Sequence, residues 1–468
     1  MTRQPRVRWV FLLALLLGAL SVPFGAQDRF GDLDRVITSE LAETQTPGAI
    51  VAVVQDNTVA FLKAFGTANV ETGQPMAADM VFPLASMTKM YTAMTLVALA
   101  EERKIDLTAP ISRYLDNLPP KLGAVTAHQL LSHTAGFLDN AGIANRGYDD
   151  STIEEQVRTY SDTIFFTEPG AVFSYANQGY NLSGFLIQQV SRRRYSQAVQ
   201  ERIFSPLKMP HSTFSLAMAA TWPMSQTHAG PPGEPPAVLR PMGVQAPWPV
   251  GGMFSSMADL VRFAAAFMNA GRLDGHEVMP PAVLRRMTTP HVAVHSQVEG
   301  GRYGYGLIMV EDRGVRLVQH GGTLGGSATD FVMAPDRRVA VIVFANRTSH
   351  LTKTVNRALE VALGLPPKRA ATMLTMTAGE ASECVGRYWQ GAGVPIEIVA
   401  TDTGIGMKNG SGSYPLTRID KDAFLVSFPG FTDPIRVEFV RGADGRVEYL
   451  HNRMRALKRV PATAGTAG

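Results

Sequence analysis

Phe82-Pro-Leu-Ala-Ser86-Met-Thr-Lys89 runs straight into Met90-Tyr-Thr-Ala-Met-Thr-Leu-Val-Ala-Leu-Ala100, and this stretch decides how the chain is read. A serine and a lysine three residues apart lie on one face of a helix. In the first turn of that helix, the serine hydroxyl sits at the positive end of the helix dipole. A lysine taken out of water loses proton affinity and can accept the serine proton or polarise its neighbour. The apolar wall behind Lys89 argues for such burial. The plainer reading makes Ser86 a helix cap and leaves Lys89 in solvent. Spacing alone does not separate the two, because Ser205-Pro-Leu-Lys208 has it as well. There Met209-Pro210 follows at once, so no buried helix supports the pair.

Working outward, Tyr175-Ala-Asn177 is the sole Tyr-x-Asn in the chain. A phenol near a lysine can take or give a proton, and Asn177 can orient a substrate carbonyl and bond the lysine. By itself the motif reads rather as an ordinary loop tyrosine before a helix. His320-Gly321-Gly322-Thr323 ends the strand Arg316-Leu-Val-Gln319. Its glycines let a substrate approach the backbone, and a free N–H there can complete an oxyanion hole. His228-Ala-Gly230 matches the same pattern, but inside a proline-rich loop.

Helical spacing covers 30–44, 86–103, 127–132, 176–192, 256–270 and 350–363. Apolar runs at 49–54 and 59–65, around Gln55-Asp56-Asn57, predict a hairpin. Strands are expected again at 315–319, 328–333 and 338–345, whereas 229–252 is too rich in proline for either regular element. Strands at both ends and helices between them predict one antiparallel sheet with a large helical insertion. The stretch 365–371 reads as a linker, and the remainder, with turn signals at Gly410–Gly412, Pro429-Gly430 and Ala443-Asp444-Gly445, as a small β-domain. Gly404-Ile-Gly406 reads as a turn. Arg192-Arg-Arg194 reads as a solvated helix end, and His291 with His295 as a surface loop rather than a metal site.

The order Ser86-x-x-Lys89, Tyr175-x-Asn177, His320-x-Gly322 resembles the serine β-lactamase and penicillin-binding-protein family, in its class C-like branch. His128-Gln-Leu-Leu-Ser-His133-Thr-Ala-Gly136, Pro169-Gly170, Pro206-Leu-Lys-Met209, Val250-Gly-Gly252 and Tyr305-Gly306 look like its framework motifs, in order. The likeness spans roughly 30–365. It implies an α/β (α+β) fold of the β-lactamase/transpeptidase type, an antiparallel sheet with terminal helices and a mainly helical subdomain. A small all-β C-terminal domain, 366–468, loosely resembles the lipocalin-like appendages of some members. The resemblance also implies catalysis by Ser86, Lys89 and Tyr175, with Asn177, His320, Gly322 and Thr323 around the substrate. The oxyanion falls to the N–H groups of Ser86 and Thr323. Whether Lys89 or Tyr175 is the base stays open. Penicillin-recognising class C enzymes carry Lys-Thr-Gly where this chain has His320-Gly-Gly322. Members with His-x-Gly look more like esterases and D-stereospecific amidases or peptidases. The expected function is hydrolysis of an ester, amide or peptide through a serine acyl-enzyme, with no metal and no cofactor. The rival is a non-catalytic penicillin- or cell-wall-binding protein using the same cleft.

The first 26 residues read as an export signal: Arg3, Arg6 and Arg8, an apolar run from Trp9 to Leu20, then Ser-Val-Pro-Phe-Gly-Ala26. A retained membrane anchor is the other reading. Periplasmic or secreted location is expected, with domain bounds 1–26, 27–365 and 366–468. The net charge of +4 is too small over 468 residues to suggest nucleic acid. Without those three arginines it falls to +1. With 45% hydrophobic and 18% charged residues the chain can bury a large core, and its one cysteine, Cys384, excludes a disulfide framework.

Overall fold

The computed structural model describes residues 28–139, 150–231, 234–240, 248–295, 299–428 and 433–461. The expected export signal lies outside these residues. The main elements are α1 (Leu33–Glu43), β1 (Gly48–Gln55), β2 (Thr58–Asn69), α2 (Thr88–Glu101), α3 (Asn177–Ser191) and α4 (Met257–Met268). They are followed by β3 (Ile308–Asp312), β4 (Val315–Leu324), β5 (Ser327–Ala334), β6 (Val339–Ala345) and α5 (Thr352–Leu363).

Among the described residues the main sheet is antiparallel, and its central order is β3-β4-β5-β6-β1-β2. The first hairpin thus pairs with strands nearly 300 residues later, Ala49 standing opposite Ala345. The hairpin turns on Asp56 and Asn57, both left-handed, the conformation of a two-residue type I′ turn. β1 is central and covered on both faces, hence its unbroken apolar run. Ile50, Ala52 and Val54 face the helical insertion, while Ala49, Val51 and Val53 face α1 and α5.

The terminal helices are tied together by Glu40. It is buried, and its carboxylate accepts from the N–H groups of Lys353 (2.8 Å) and Thr354 (2.7 Å) at the start of α5. Burial raises its proton affinity against those bonds, and the helix dipole favours its charge. On the other face, α2 passes through the main core with nearly all its residues buried, as the apolar wall behind Lys89 suggested.

Two corrections concern 229–252. Trp248–Gly251 forms a short helix, and Ala237–Val238 pairs with His228–Ala229. The helix is held by contact rather than propensity: Gly184 on α3 leaves room for Pro249, against which a Cβ would stand at 2.2 Å. The Pro249 carbonyl also accepts from the Thr92 hydroxyl at 2.6 Å.

After a coil segment comes α6 (Ala378–Cys384), entered through a capping box of Thr377 and Glu380 that the sequence reading overlooked. Eight antiparallel strands then close into a barrel: β7 (Gly386–Trp389), β8 (Ile396–Thr401), β9 (Gly404–Asn409), β10 (Gly412–Arg418), β11 (Ala423–Val426), β12 (Ile435–Arg441), β13 (Val447–Asn452) and β14 (Arg455–Val460). Gly404-Ile-Gly406, expected as a turn, opens β9 instead. The interior is filled by Tyr388, Ile398, Met407, Phe424, Val437 and Phe439, with Cys384 packed against them. Among the described residues no helix is long and apolar enough to cross a membrane.

Candidate active site

Ser86 lies in a single turn of 3-10 helix, Ala85–Met87, that leads into α2. Ala85 before it has φ +49°, an unusual left-handed conformation for a residue with a side chain. Ser86 is half-buried and Lys89 wholly buried. Lys89 Nζ donates to Ser86 Oγ at 3.1 Å and to the Val250 carbonyl at 2.9 Å. It lies 4.8 Å from the centre of the Tyr175 ring and 5.6 Å from that of Tyr180. Burial holds the Lys89 amine well below its ordinary range, and Asp139 offsets only part of the effect. The plainer reading, a solvated Lys89, is therefore excluded by the packing.

Tyr175 ends the loop before α3 and is buried. Burial pushes its phenol up, and a hydrogen bond with the Ser86 side chain draws it partly back. Asn177 begins α3 and is half-buried. Its Nδ2 donates to Asp139 Oδ1 at 3.1 Å, and its backbone N–H to the same oxygen at 3.0 Å. Asp139 Oδ2 in turn accepts from Arg455 Nε at 2.8 Å and from Arg455 Nη2.

Gly322 presses β4 onto the Ser86 turn: a Cβ there would meet the Leu84 carbonyl at 2.1 Å and the Ser86 nitrogen at 3.0 Å. The β3–β4 ladder ends at Gln319, so from His320 to Leu324 that edge of β4 has no strand partner among the described residues. His320 is buried, with Nδ1 2.6 Å from the Gly321 carbonyl and Nε2 3.3 Å from the Tyr303 hydroxyl. Burial, with Lys89 nearby, lowers it to about 4, so it is neutral at neutral pH.

Sequence reasoning had not singled out Asp139, Tyr303 or Arg455. Arg455 comes from the barrel and carries no local signature at all. The β13–β14 hairpin reaches the Tyr175 loop. Tyr175 N–H donates to the Met454 carbonyl at 2.9 Å, His451 Nε2 lies 2.6 Å from the Phe173 carbonyl, and the Arg455 guanidinium stands 5.4 Å from the centre of the Tyr175 ring. The Ser205–Lys208 pair lies elsewhere, in the last turn of the continuous helical run Tyr195–Leu207, which ends on an exposed, left-handed Lys208. His291 stacks on Tyr305 (4.2 Å between ring centres), and His295 pairs with Glu438 at 3.0 Å, so the two histidines share no site.

Known proteins are similar to this chain at low identity. The chain is similar to a D-aminopeptidase of Gluconobacter oxydans, 26% identical over 74% of this chain and 65% of that one. It is similar to penicillin-binding protein 4 of Amycolatopsis lactamdurans, 27% identical over 65% and 82% of the two chains. Esterase EstB of Burkholderia gladioli is 26% identical over 62% and 83%. The chain spans just under two thirds of the D-aminopeptidase. Among solved structures, SurE superposes with a TM-score of 0.73, 25% identity and coverage of 93% of this chain and 100% of that one. The octameric penicillin-binding protein homologue of Pyrococcus abyssi gives 0.66 at 23% identity, covering 92% and 99%, and shows likeness of fold. The segment that brings Ser86, Lys89, Tyr175 and His320 into one cleft falls inside the 33–365 stretch matched by the Beta-lactamase family model, and this chain belongs to that family.

Proposed function

We propose that the protein is an exported serine hydrolase that cleaves ester, amide or peptide bonds through an acyl-Ser86 intermediate. One observation carries the reading: a fully buried lysine amine, 3.1 Å from a half-buried serine hydroxyl, with a carbonyl as its other polar contact. An ammonium ion there would be desolvated without a carboxylate in contact, so the neutral amine is favoured. Neutral Lys89 takes the Ser86 proton as Oγ adds to the substrate carbonyl. The N–H groups of Ser86 and Thr323 face the developing oxyanion.

The phenol of Tyr175, pushed up by burial, stays protonated and serves as the acid toward the leaving oxygen or nitrogen. The proton on Lys89 restores the tyrosine, and water then enters by the same path in reverse to free Ser86. Neutral His320 borders this path without supplying charge. Relatives named as a D-aminopeptidase and an esterase support amide and ester substrates. Export is supported by the N-terminal sequence pattern, and cell-wall peptides are within the proposed substrate range.

Ser86→Ala should lower turnover of p-nitrophenyl esters by roughly 10⁴-fold or more, given typical losses of a nucleophile. It should also abolish labelling by a fluorescent phosphonate. A variant that retains full ester hydrolysis would falsify the reading. A wild-type protein that takes no label would favour the non-catalytic, wall-binding alternative. A panel of p-nitrophenyl ester, nitrocefin, D-amino-acid amide and D-Ala-D-Ala peptide then ranks the substrates.

A further inference from the structure

His133 packs against the Tyr175 loop. It follows the short helix Ala127–Leu131 and is buried at φ +57°, a left-handed conformation uncommon for a residue with a side chain. From there it meets the loop three times. Its carbonyl accepts from the Ser174 N–H at 2.8 Å, and its Nδ1 accepts from the Ala176 N–H at 3.2 Å. Its ring centre lies 4.3 Å from that of Tyr175, with the planes tilted by 32°. The N–H between these two, that of Tyr175 itself, goes to the Met454 carbonyl of the barrel. The loop is thus held from two sides, by His133 at residues 174 and 176 and by the barrel at residue 175.

The His133 side is anchored by α3. The Tyr180 hydroxyl donates to the Leu131 carbonyl at 3.0 Å and fixes the end of the short helix. Burial, with Lys89, His320 and Arg455 nearby, holds His133 well below its ordinary range, so the imidazole is neutral. Because Nδ1 accepts from Ala176, the proton of the neutral ring sits on Nε2. Nε2 is buried without a hydrogen-bond partner among the described residues, and the rings of Tyr180 and Tyr303 stand 5.0 Å away. An orphaned N–H in such a place is destabilising, and a phenylalanine would avoid it. What a phenylalanine cannot do is accept from Ala176.

We propose that His133 is a positioning residue for Tyr175, setting where the phenol stands when it protonates the leaving group, an inference that rests on the hydrolase reading above. As the bond from the substrate carbonyl carbon to the leaving oxygen breaks, that oxygen takes the Tyr175 proton. The Lys89 ammonium then returns a proton to the phenolate. The transfer needs the phenol within hydrogen-bond reach of the leaving atom, and a loop free to shift by ~1 Å loses it. The need grows with the basicity of the leaving group. p-Nitrophenolate departs readily as an anion, whereas the more basic phenolate gains from a proton. A residue that merely filled space would affect both alike.

The test compares kcat/KM for p-nitrophenyl butyrate and phenyl butyrate, which share one acyl group. Phosphonate labelling of Ser86 counts the folded sites. His133→Phe keeps a ring and loses the acceptor. It should label fully, hold the nitrophenyl ester within about threefold, and lose about 100-fold on the phenyl ester, as for a ~1 Å misplacement. His133→Asn can place an amide oxygen where Nδ1 stands and tolerates the left-handed backbone. It should recover the phenyl ester to within about tenfold of the wild type. Equal losses on the two esters, no loss on either, or His133→Asn no better than a fully labelled His133→Phe overturns the proposal. If His133→Phe takes no label, His133→Asn decides alone: a larger loss on the phenyl ester supports positioning, and equal losses overturn it. Failure of the hydrolase reading shows separately, as ester cleavage that survives Ser86→Ala or a wild type that takes no label.

Discussion

Two Ser-x-x-Lys segments in one chain have opposite fates. Ser86 and Lys89 lie at the head of a helix sunk in the main core, with the amine wholly buried and 3.1 Å from the hydroxyl. Ser205 and Lys208 lie at the very end of a continuous helical run, Tyr195–Leu207, which flips into the left-handed region at Lys208 and delivers the lysine to water. Ser205 Oγ accepts instead from Gln200 Nε2 at 3.0 Å. The residue types and spacing are the same, so neither makes a nucleophile. What differs is position: α2 continues beyond Lys89 through buried residues and leaves the amine nowhere to hydrate, whereas the other helix stops one residue before Lys208.

The comparison breaks most sharply at Lys89. Lys89→Met keeps the volume and removes the base, and should cut turnover of esters by about 10³-fold, within the range for losing a positioned acid–base group. It should at the same time raise the melting temperature at neutral pH. The unfolded chain binds a proton at Lys89 below about pH 10.5, whereas the folded site resists it. Folded Lys89 therefore costs stability below that pH, and the advantage of the methionine should vanish above it. A variant that melts lower at neutral pH would contradict the neutral-amine assignment.

Gly322→Ala tests the seat of Ser86 rather than its proton. A methyl 2.1 Å from the Leu84 carbonyl must push β4 off the Ser86 turn. Displacements of ~1 Å typically cost about 100-fold, to be read here in turnover at unchanged serine labelling stoichiometry.

Arg455→Ala removes the barrel's grip on Asp139, and through it on Asn177 and the Tyr175 loop. About tenfold lower activity is expected, since Tyr175 keeps its backbone bond to Met454. Arg455→Lys, which retains charge without the two-pronged bond, should recover only part of it, and pre-steady-state kinetics would show whether proton delivery is the slowed step. The smallest effect belongs to the control pair. Ser205→Ala and Lys208→Ala should leave turnover within about twofold and stability within ~0.5 kcal/mol, as for exposed positions generally.

Much of the fold was legible because the apolar patterns are local and strong. Val339 to Phe344 alternates between the two cores without a polar interruption, as a strand buried on both faces must. The hairpin at Asp56-Asn57 and helices α2 and α3 followed from the same kind of signal. Trp248–Gly251 did not, because its helix depends on a hole left by Gly184 far upstream. The closed barrel was legible as short strands with turns, but closure depends on β7 meeting β14, a pairing no local pattern announces.

In the site, Ser86, Lys89, Tyr175 and His320 were visible from residue type and order. Asn177 was visible, but its partner was not, since Asp139 is a lone acid in an ordinary loop. Arg455 had no motif to belong to.

The sequence by itself determined that Ser86 and Lys89 share a helical face, that apolar strands flank a helical insertion, and that the N-terminal basic residues account for most of the net charge. Tertiary structure alone decided that Lys89 is dry, that His320 is neutral, and that Asn177 answers to Asp139 and the barrel's Arg455. Spacing along a chain determines which side chains point the same way. Proton affinity depends on what surrounds a group in space, and here those surroundings come from segments as far as 316 residues apart.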